Sequence, residues 1–252
     1  MKFVRFQTYS KIRYGILEGE DVFEISDNFL RDNFKKLNSR FDLADIKLLS
    51  PVEPSKIIGI GLNYAEHIEE LKFKKPETPV MFLKPSTTVI SHLDYIVYPK
   101  RISKRVDYEG ELAVVIGKRA KNVKIDEAGN FIFGYTIIND VTARDLQSSD
   151  SQWTRAKGFD TFAPIGPLIE TDLEPTNLNI KTLLNGEIKQ NSNTSNMIFN
   201  VYELVSFISQ TMTLLPGDVI ATGTPKGVGA IDIGDEIEIE IENIGKLKNS
   251  VR

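Results

Sequence analysis

Two glutamates and an aspartate hold the densest chemistry in this chain. In Asp107-Tyr108-Glu109-Gly110-Glu111, followed by the apolar run Leu112 to Ile116, an extended backbone sends alternate side chains to one face, so Glu109 and Glu111 point the same way. The unbroken apolar run marks a strand covered on both faces, and two carboxylates therefore head into a core. About 4 Å apart at an effective dielectric of 20, they would repel by roughly 4 kcal/mol before any desolvation cost. A shared proton, an Arg or Lys, or a divalent cation would each neutralise them, the cation with the strongest local field. Gly110 between them fits a bulge or a close backbone approach. Asp140, where the strand-like FGYTIIN turns polar, offers a third oxygen donor. Glu, Glu and Asp in a chain without cysteine form a hard, oxygen-only set suited to Mg²⁺, Mn²⁺ or Ca²⁺ rather than zinc or copper. The residues alone leave this metal site open against a salt-bridged structural cluster. An internal control is Asp235 to Glu242, strict Glu/Ile alternation, which reads as a one-face-exposed strand with solvated acids.

Other reactive groups are sparse. His67 and His92 are the two imidazoles, so a neutral-pH base has few candidates. On a helix His67 and Glu70, at i and i+3, are neighbours, and the carboxylate can orient the ring; a solvent-exposed pair is the plainer reading. Thr222-Gly223-Thr224-Pro225-Lys226-Gly227 is a glycine-rich turn whose amides and hydroxyls suit a carboxylate. It is no phosphate loop, since GxxxxGK[ST] is absent, and Gly59-Ile60-Gly61 lacks the third glycine of a dinucleotide fingerprint.

The elements that must position these groups are mostly strands. KFVRFQ, KIRYGILEG and DVFEIS alternate as half-buried strands, and DNFLRDNFKKL reads as a short helix. Pro51 and Pro54 bracket a boundary, giving a small β module over residues 1–52 and a main domain over 53–252. Asn63 with Glu66 predicts a capping box on a helix reaching Leu71, and Lys72 to Pro79 reads as a loop able to act as a lid. IIGIGL, PVMFL, Tyr108 to Ile116 and FIFGYTIIN predict strands. LLNGEI predicts a hairpin turning at Asn185-Gly186. Asn200 and Glu203 cap a helix that must stop before Pro216. With 252 residues, 41% hydrophobic and 26% charged, the composition excludes disorder, collagen and coiled coil. A net charge of -4 without long one-sign blocks argues against nucleic acid. No run reaches the roughly 18 apolar residues of a membrane helix, and the start lacks a signal-peptide core; a cytoplasmic protein is expected.

The strings GLNYAEHIEE, FLKPST, VDYEGELAVVIGK, GYTIINDVTARDLQ, AKGFDTFAPIGP, LNGEIKQ and LLPGDVIATGTPKGVG, in this order over roughly residues 55–252, resemble the fumarylacetoacetate hydrolase family. The likeness is to its short branch of acylpyruvate hydrolases, oxaloacetate decarboxylases and 2-hydroxyhepta-2,4-diene-1,7-dioate isomerases. The first 50 residues match only loosely. The resemblance implies a strand-rich α+β fold with a rolled mixed β-sheet and a homodimer. It places the metal ligands at Glu109, Glu111 and Asp140, and the water-activating pair at His67 and Glu70. It further implies that Lys157 offsets charge on a substrate carbonyl, that Arg144 and Gln147, with Gly223 and Thr224 of the glycine-rich turn, lie on the substrate side, and that Mg²⁺ is the cofactor, with Mn²⁺ or Ca²⁺ as alternatives. Lysines on a surface loop are usually solubilisers, so the role of Lys157 rests on the motif; Arg144 could instead pair with Asp145 or another acid. Lys84 recurs in the family too, with a buried ion pair as its alternative, and His92 reads as structural. The implied reaction is hydrolytic cleavage of a carbon–carbon bond in a 2,4-dioxo acid, a small 2-oxo acid being the partner. Isomerase and decarboxylase chemistry on the same scaffold are alternatives, a sugar-acid dehydratase a further one, and a non-catalytic metal-binding protein the alternative of another class.

Overall fold

The computed structural model describes residues 1–252 apart from Ser10, Asp32, Lys72, Phe73 and the side chain of Leu71. The N-terminal strands are β1 (Lys2–Thr8), β2 (Lys11–Glu18), β3 (Asp21–Ile25), β4 (Lys36–Asp42) and β5 (Lys47–Leu49). Next come β6 (Ile57–Gly61), helix α1 (Ala65–Leu71), β7 (Val80–Lys84), β8 (Val89–Ile90), β9 (Tyr95–Ile96), β10 (Val106–Tyr108), β11 (Gly110–Ile116), β12 (Ile132–Asn139) and β13 (Thr142–Ala143). Two short helices, α2 (Arg144–Ser149) and α3 (Thr154–Lys157), precede β14 (Ala163–Glu170), β15 (Asn179–Leu184) and β16 (Glu187–Asn193). Helix α4 (Val201–Thr211), β17 (Val219–Ala221), β18 (Gly229–Ile231), β19 (Glu236–Ile241) and β20 (Gly245–Val251) complete the chain. This is a strand-rich α+β architecture with mixed sheets.

The central sheet runs β4-β3-β2-β1-β14-β12-β11-β17-β6-β7, with β5 added at β1 and β8 at β14. Its β17–β6 pairing is parallel and β11–β12 antiparallel. A five-stranded sheet, β16-β15-β19-β20-β9, packs against it, and β13-β10-β18 form a third. Strand β11 is buried along its whole length, as its apolar run predicts. Leu112, Val114 and Ile116 enter one apolar cluster with Ile237 and Ile239, whereas Ala113 and Val115 enter another with Phe3, Ile165 and Val219. Such two-sided burial leaves Glu111, at the mouth of the strand, no route to solvent along its own element.

Two local expectations fail. DNFLRDNFKKL forms no helix among its described residues: Asn28 Oδ1 accepts from Leu30 N at 2.9 Å and Asp27 Oδ1 from Asn28 N at 2.7 Å, and Lys36 already belongs to β4. Side chains that bond the nearby backbone compete with helix in this way. Asn63 does not cap α1, because its amide instead donates to Phe199 O and Thr222 O and accepts from Phe199 N, at 2.7–3.0 Å. The capping box of Asn200 and Glu203 forms on α4, and Asn185 and Gly186, at φ 52° and 81°, make the hairpin turn. Within the expected lid, Lys72 and Phe73 lie outside the described residues. Among the described residues no helix is long and apolar enough to cross a membrane.

Candidate active site

The backbone breaks strand at Glu109, between β10 and β11, and there Asp140 N donates to Glu109 O at 2.8 Å. That bond carries Asp140, just past the end of β12, to the side of the two glutamates. Glu109, Glu111 and Asp140 are all buried and each offers a carboxylate oxygen within 4.8 Å of the others. Gly110 is required at the join: a Cβ there would lie 2.2 Å from Thr182 Oγ1 of β15. Its N–H donates to Gln190 Oε1 at 3.0 Å and its carbonyl accepts from Thr224 Oγ1 at 3.0 Å, so the backbone between the glutamates is pinned to β16 and the glycine-rich turn.

Cations surround two of the three acids. Lys157 Nζ is 2.8 Å from Glu109 Oε2 and 2.5 Å from Asp140 Oδ2. Lys84 Nζ is 2.5 Å from Asp140 Oδ1, the buried ion pair weighed as its alternative. Arg144 bonds Glu109 and, at 2.8 Å, Asp107 Oδ2, while its Nη1 donates to Gln147 Oε1 at 2.5 Å. Arg144 thus pairs with acids, but not with Asp145, which accepts from Ser103 and Lys104 N. Lys157 is no surface solubiliser: it sits in α3 at 2% exposure.

Burial raises the Glu109 carboxyl, but the charges of Lys157 and Arg144 outweigh it and hold the group well below the usual carboxylate range. The same burial lowers Lys157, and Asp140 with Glu109 more than restores it; for Lys84, burial prevails and lowers it. Glu111 differs. Burial, then the charges of Asp140 and Glu109, push it well above its ordinary value, and among the described residues its side chain accepts a single hydrogen bond, from Gly223 N–H at 2.8 Å. The amide expected to face a substrate carboxylate is therefore occupied by Glu111. A buried carboxylate with one neutral donor, beside two further acids, is the donor set a hard dication completes, so the residues fit the implied metal.

One cavity of about 230 Å³ joins these groups to His67, Arg144, Gln147, Lys157 and Thr224. His67 is 5% exposed and its Nδ1 lies 3.2 Å from Glu70 Oε2, while Glu70 accepts from Gly227 N at 3.2 Å. Glu66 pairs with Lys226 at 3.1 Å, so the same turn holds two of the three acids of α1. His92 lies apart, its Nδ1 accepting from Lys248 N at 3.1 Å, and burial, then Lys248, depresses its pKa.

Sequence reasoning missed Asp107, buried under Arg144 and Arg105, and the Tyr64 hydroxyl, buried without a hydrogen-bond partner among the described residues and raised in pKa by burial and by Glu111. It also missed the aromatic wall of Phe82 and Trp153. The signal for that wall was the i, i+2 glycine pair in IIGIGL, which opens one strand face to something large.

Residues 56–252 match the family model described as fumarylacetoacetate (FAA) hydrolase C-terminal, and residues 1–51 match one described as Rv2993c-like, N-terminal. The chain is 42% identical to the oxaloacetate tautomerase YisK of Bacillus subtilis over 225 residues, 84% of this chain and 75% of that one. Its structure superposes on 2-hydroxyhepta-2,4-diene-1,7-dioate isomerase from Mycobacterium marinum with a TM-score of 0.93 at 43% identity, covering 100% and 98% of the two chains. It also superposes on maleylpyruvate hydrolase from Sphingobium sp. SYK-6, in complex with manganese(II) and pyruvate, with a TM-score of 0.84 at 29% identity, covering 100% and 98%.

Proposed function

On the premise that this chain belongs to the fumarylacetoacetate hydrolase family, whose members are enzymes, we propose that it is a divalent-metal-dependent hydrolase cleaving the carbon–carbon bond of acylpyruvate-type 2,4-dioxo acids. The observation that carries this reading is His67, backed by Glu70, lining the same cavity as Glu109, Glu111 and Asp140. Decarboxylation needs a way to stabilise negative charge next to a ketone, and tautomerisation a proton-transfer group besides; hydrolysis needs both and an activated water.

Glu109, Glu111 and Asp140 would hold the ion, preferably Mg²⁺ or Mn²⁺, and it would supply Lewis-acid polarisation of the 2-oxo acid's oxygens. With Nδ1–H donated to Glu70, His67 keeps Nε2 free to take a proton from water. The water oxygen bonds the distal carbonyl carbon, and Lys157, held charged by its acidic neighbours, offsets the developing oxyanion. The bond to the neighbouring CH₂ then breaks, its electron pair leaves with the pyruvate portion as an enolate, and the imidazolium returns the proton. Products are a carboxylic acid and pyruvate.

A second reading, oxaloacetate tautomerase or dienedioate isomerase, draws on the activities named for two of these relatives; there His67 would move a proton between carbon and oxygen without adding water. Purified protein with Mg²⁺ is incubated with acetylpyruvate, oxaloacetate and a hydroxyheptadienedioate, following loss of enol absorbance and formation of acetate. Acetate release that His67→Ala lowers by about 10²–10⁴-fold, with metal binding kept, supports hydrolysis. Enol loss from oxaloacetate alone, without cleavage of acetylpyruvate, sinks it. The same reading takes the protein as a homodimer, checked by its mass in solution.

A further inference from the structure

The cavity has an apolar side that the chemistry above leaves unused. Gly59 and Gly61 stand two residues apart on β6, and aromatic rings lie where their side chains would be: a Cβ on Gly59 would meet Phe82 Cζ at 2.1 Å, and one on Gly61 would meet Trp153 Cζ3 at 2.6 Å. The two rings pack edge to face, 5.5 Å between centroids at 66°, an arrangement that favours a fixed wall. The next residue, Leu62, lines the cavity with φ at 57°, a left-handed conformation that a bulky side chain adopts only when its surroundings hold it. The wall starts at the acids: Lys157 Nζ, 2.5 Å from Asp140, lies 4.8 Å from the Phe82 centroid. From there the apolar surface continues through Phe82 to Trp153. Of the described cavity-lining cations, Arg144 and Lys157 are both committed to carboxylates.

We propose that Trp153, seated on Gly61 beside Phe82, is the specificity-determining residue for the distal end of the substrate, and that the substrate class is a 2-oxo acid ending in a short uncharged hydrocarbon group rather than a second carboxylate. The inference rests on the reading that a 2-oxo acid docks at the three acids. A terminal carboxylate against this wall loses water without gaining a cation of its own, whereas each buried methylene strengthens binding about fourfold. The cavity of about 230 Å³ falls below the roughly 300 Å³ at which drug-sized pockets begin, in keeping with a short acyl group.

The test is calorimetric titration of Mg²⁺-saturated protein with pyruvate, 2-oxohexanoate and 2-oxohexanedioate, the last two differing in a terminal methyl against a carboxylate. The expected result is that 2-oxohexanoate binds about tenfold or more tighter than either of the others. Trp153→Ala should weaken 2-oxohexanoate by about tenfold while pyruvate changes by less than about twofold. Trp153→Phe, which keeps an apolar ring should the alanine variant fail to fold, should fall between them. Equal or tighter binding of 2-oxohexanedioate, or an equal loss for all three ligands in the Trp153 variants, overturns the inference while leaving the docking reading intact. Binding of none of the three to metal-loaded protein overturns the docking reading itself, and the inference with it.

Discussion

Glu109 and Glu111 share a spacing of two with Glu236, Glu238 and Glu240, yet the two groups meet opposite surroundings. On β19 the burial alternates, isoleucines inward and glutamates outward, and the acids face cross-strand lysines: Lys248 reaches Glu236 and Lys246 reaches Glu238, each at 2.7 Å. The glutamate side chains there keep 22–44% of their exposure, so water and salt carry most of the electrostatics. At the mouth of β11 the strand is covered on both faces, and the glutamates converge with Asp140 instead of spreading along a ladder. Spacing sets which way a carboxylate points; what lies on the rest of the strand sets whether it becomes a surface charge or joins a buried cluster.

The sharpest way to break the comparison is to truncate on both sides of it. Glu109→Ala, Glu111→Ala or Asp140→Ala should cut turnover by more than about 100-fold, since even outer-shell partners of metal ligands cost 10–100-fold; retention of wild-type kcat/KM in any of them contradicts the ligand set. Asp107→Ala comes next. It strips Arg144 of one of its two carboxylates, the other being Glu109, and loss of a charged hydrogen-bond partner costs about 1.5–3 kcal/mol, to be read as a lowered urea midpoint.

Acid titration sharpens the contrast further. The Glu109 carboxyl is held below its ordinary 4.5 by Lys157 and Arg144 despite burial. Its contribution to stability is therefore complete above 4.5 and is lost as pH falls through the lower folded value. In chelator-treated protein, the gap in urea midpoint between wild type and Glu109→Gln should be constant near neutrality and narrow below 4.5; a gap that widens on acidification reverses the sign. The smallest effect belongs to the ladder: Glu238→Ala should change stability by less than about 1 kcal/mol, less again in high salt, with catalysis unaltered.

Much of this was legible in residue order. The apolar run after Glu111, the glutamate–isoleucine alternation, the Asn185-Gly186 turn and the Asn200/Glu203 box all report local geometry, and local geometry follows from neighbouring residue types. What escaped depends on contacts between distant segments. Asn63 is recruited by Phe199 and Thr222, more than 130 residues away, which no capping rule registers. The pairing of Lys84 and Lys157 with Asp140, and the seating of Phe82 and Trp153 on two glycines, arise only when β6, β7 and α3 come together around the end of β12. The segment 27–37 failed for a local reason, because Asn28 and Asp27 turn their side chains onto the backbone that a helix would have used.

Whether the three buried carboxylates, and not the glutamate ladder of β19, hold a divalent ion is a question of metal binding. Calorimetric titration of chelator-treated protein with Mn²⁺, run in parallel on wild type, Glu111→Ala and Glu238→Ala, tests it most directly. One saturable site per chain is expected in wild type and in Glu238→Ala and none in Glu111→Ala; absence of saturable binding to wild type at millimolar Mn²⁺, or an undiminished site in Glu111→Ala, would overturn the assignment.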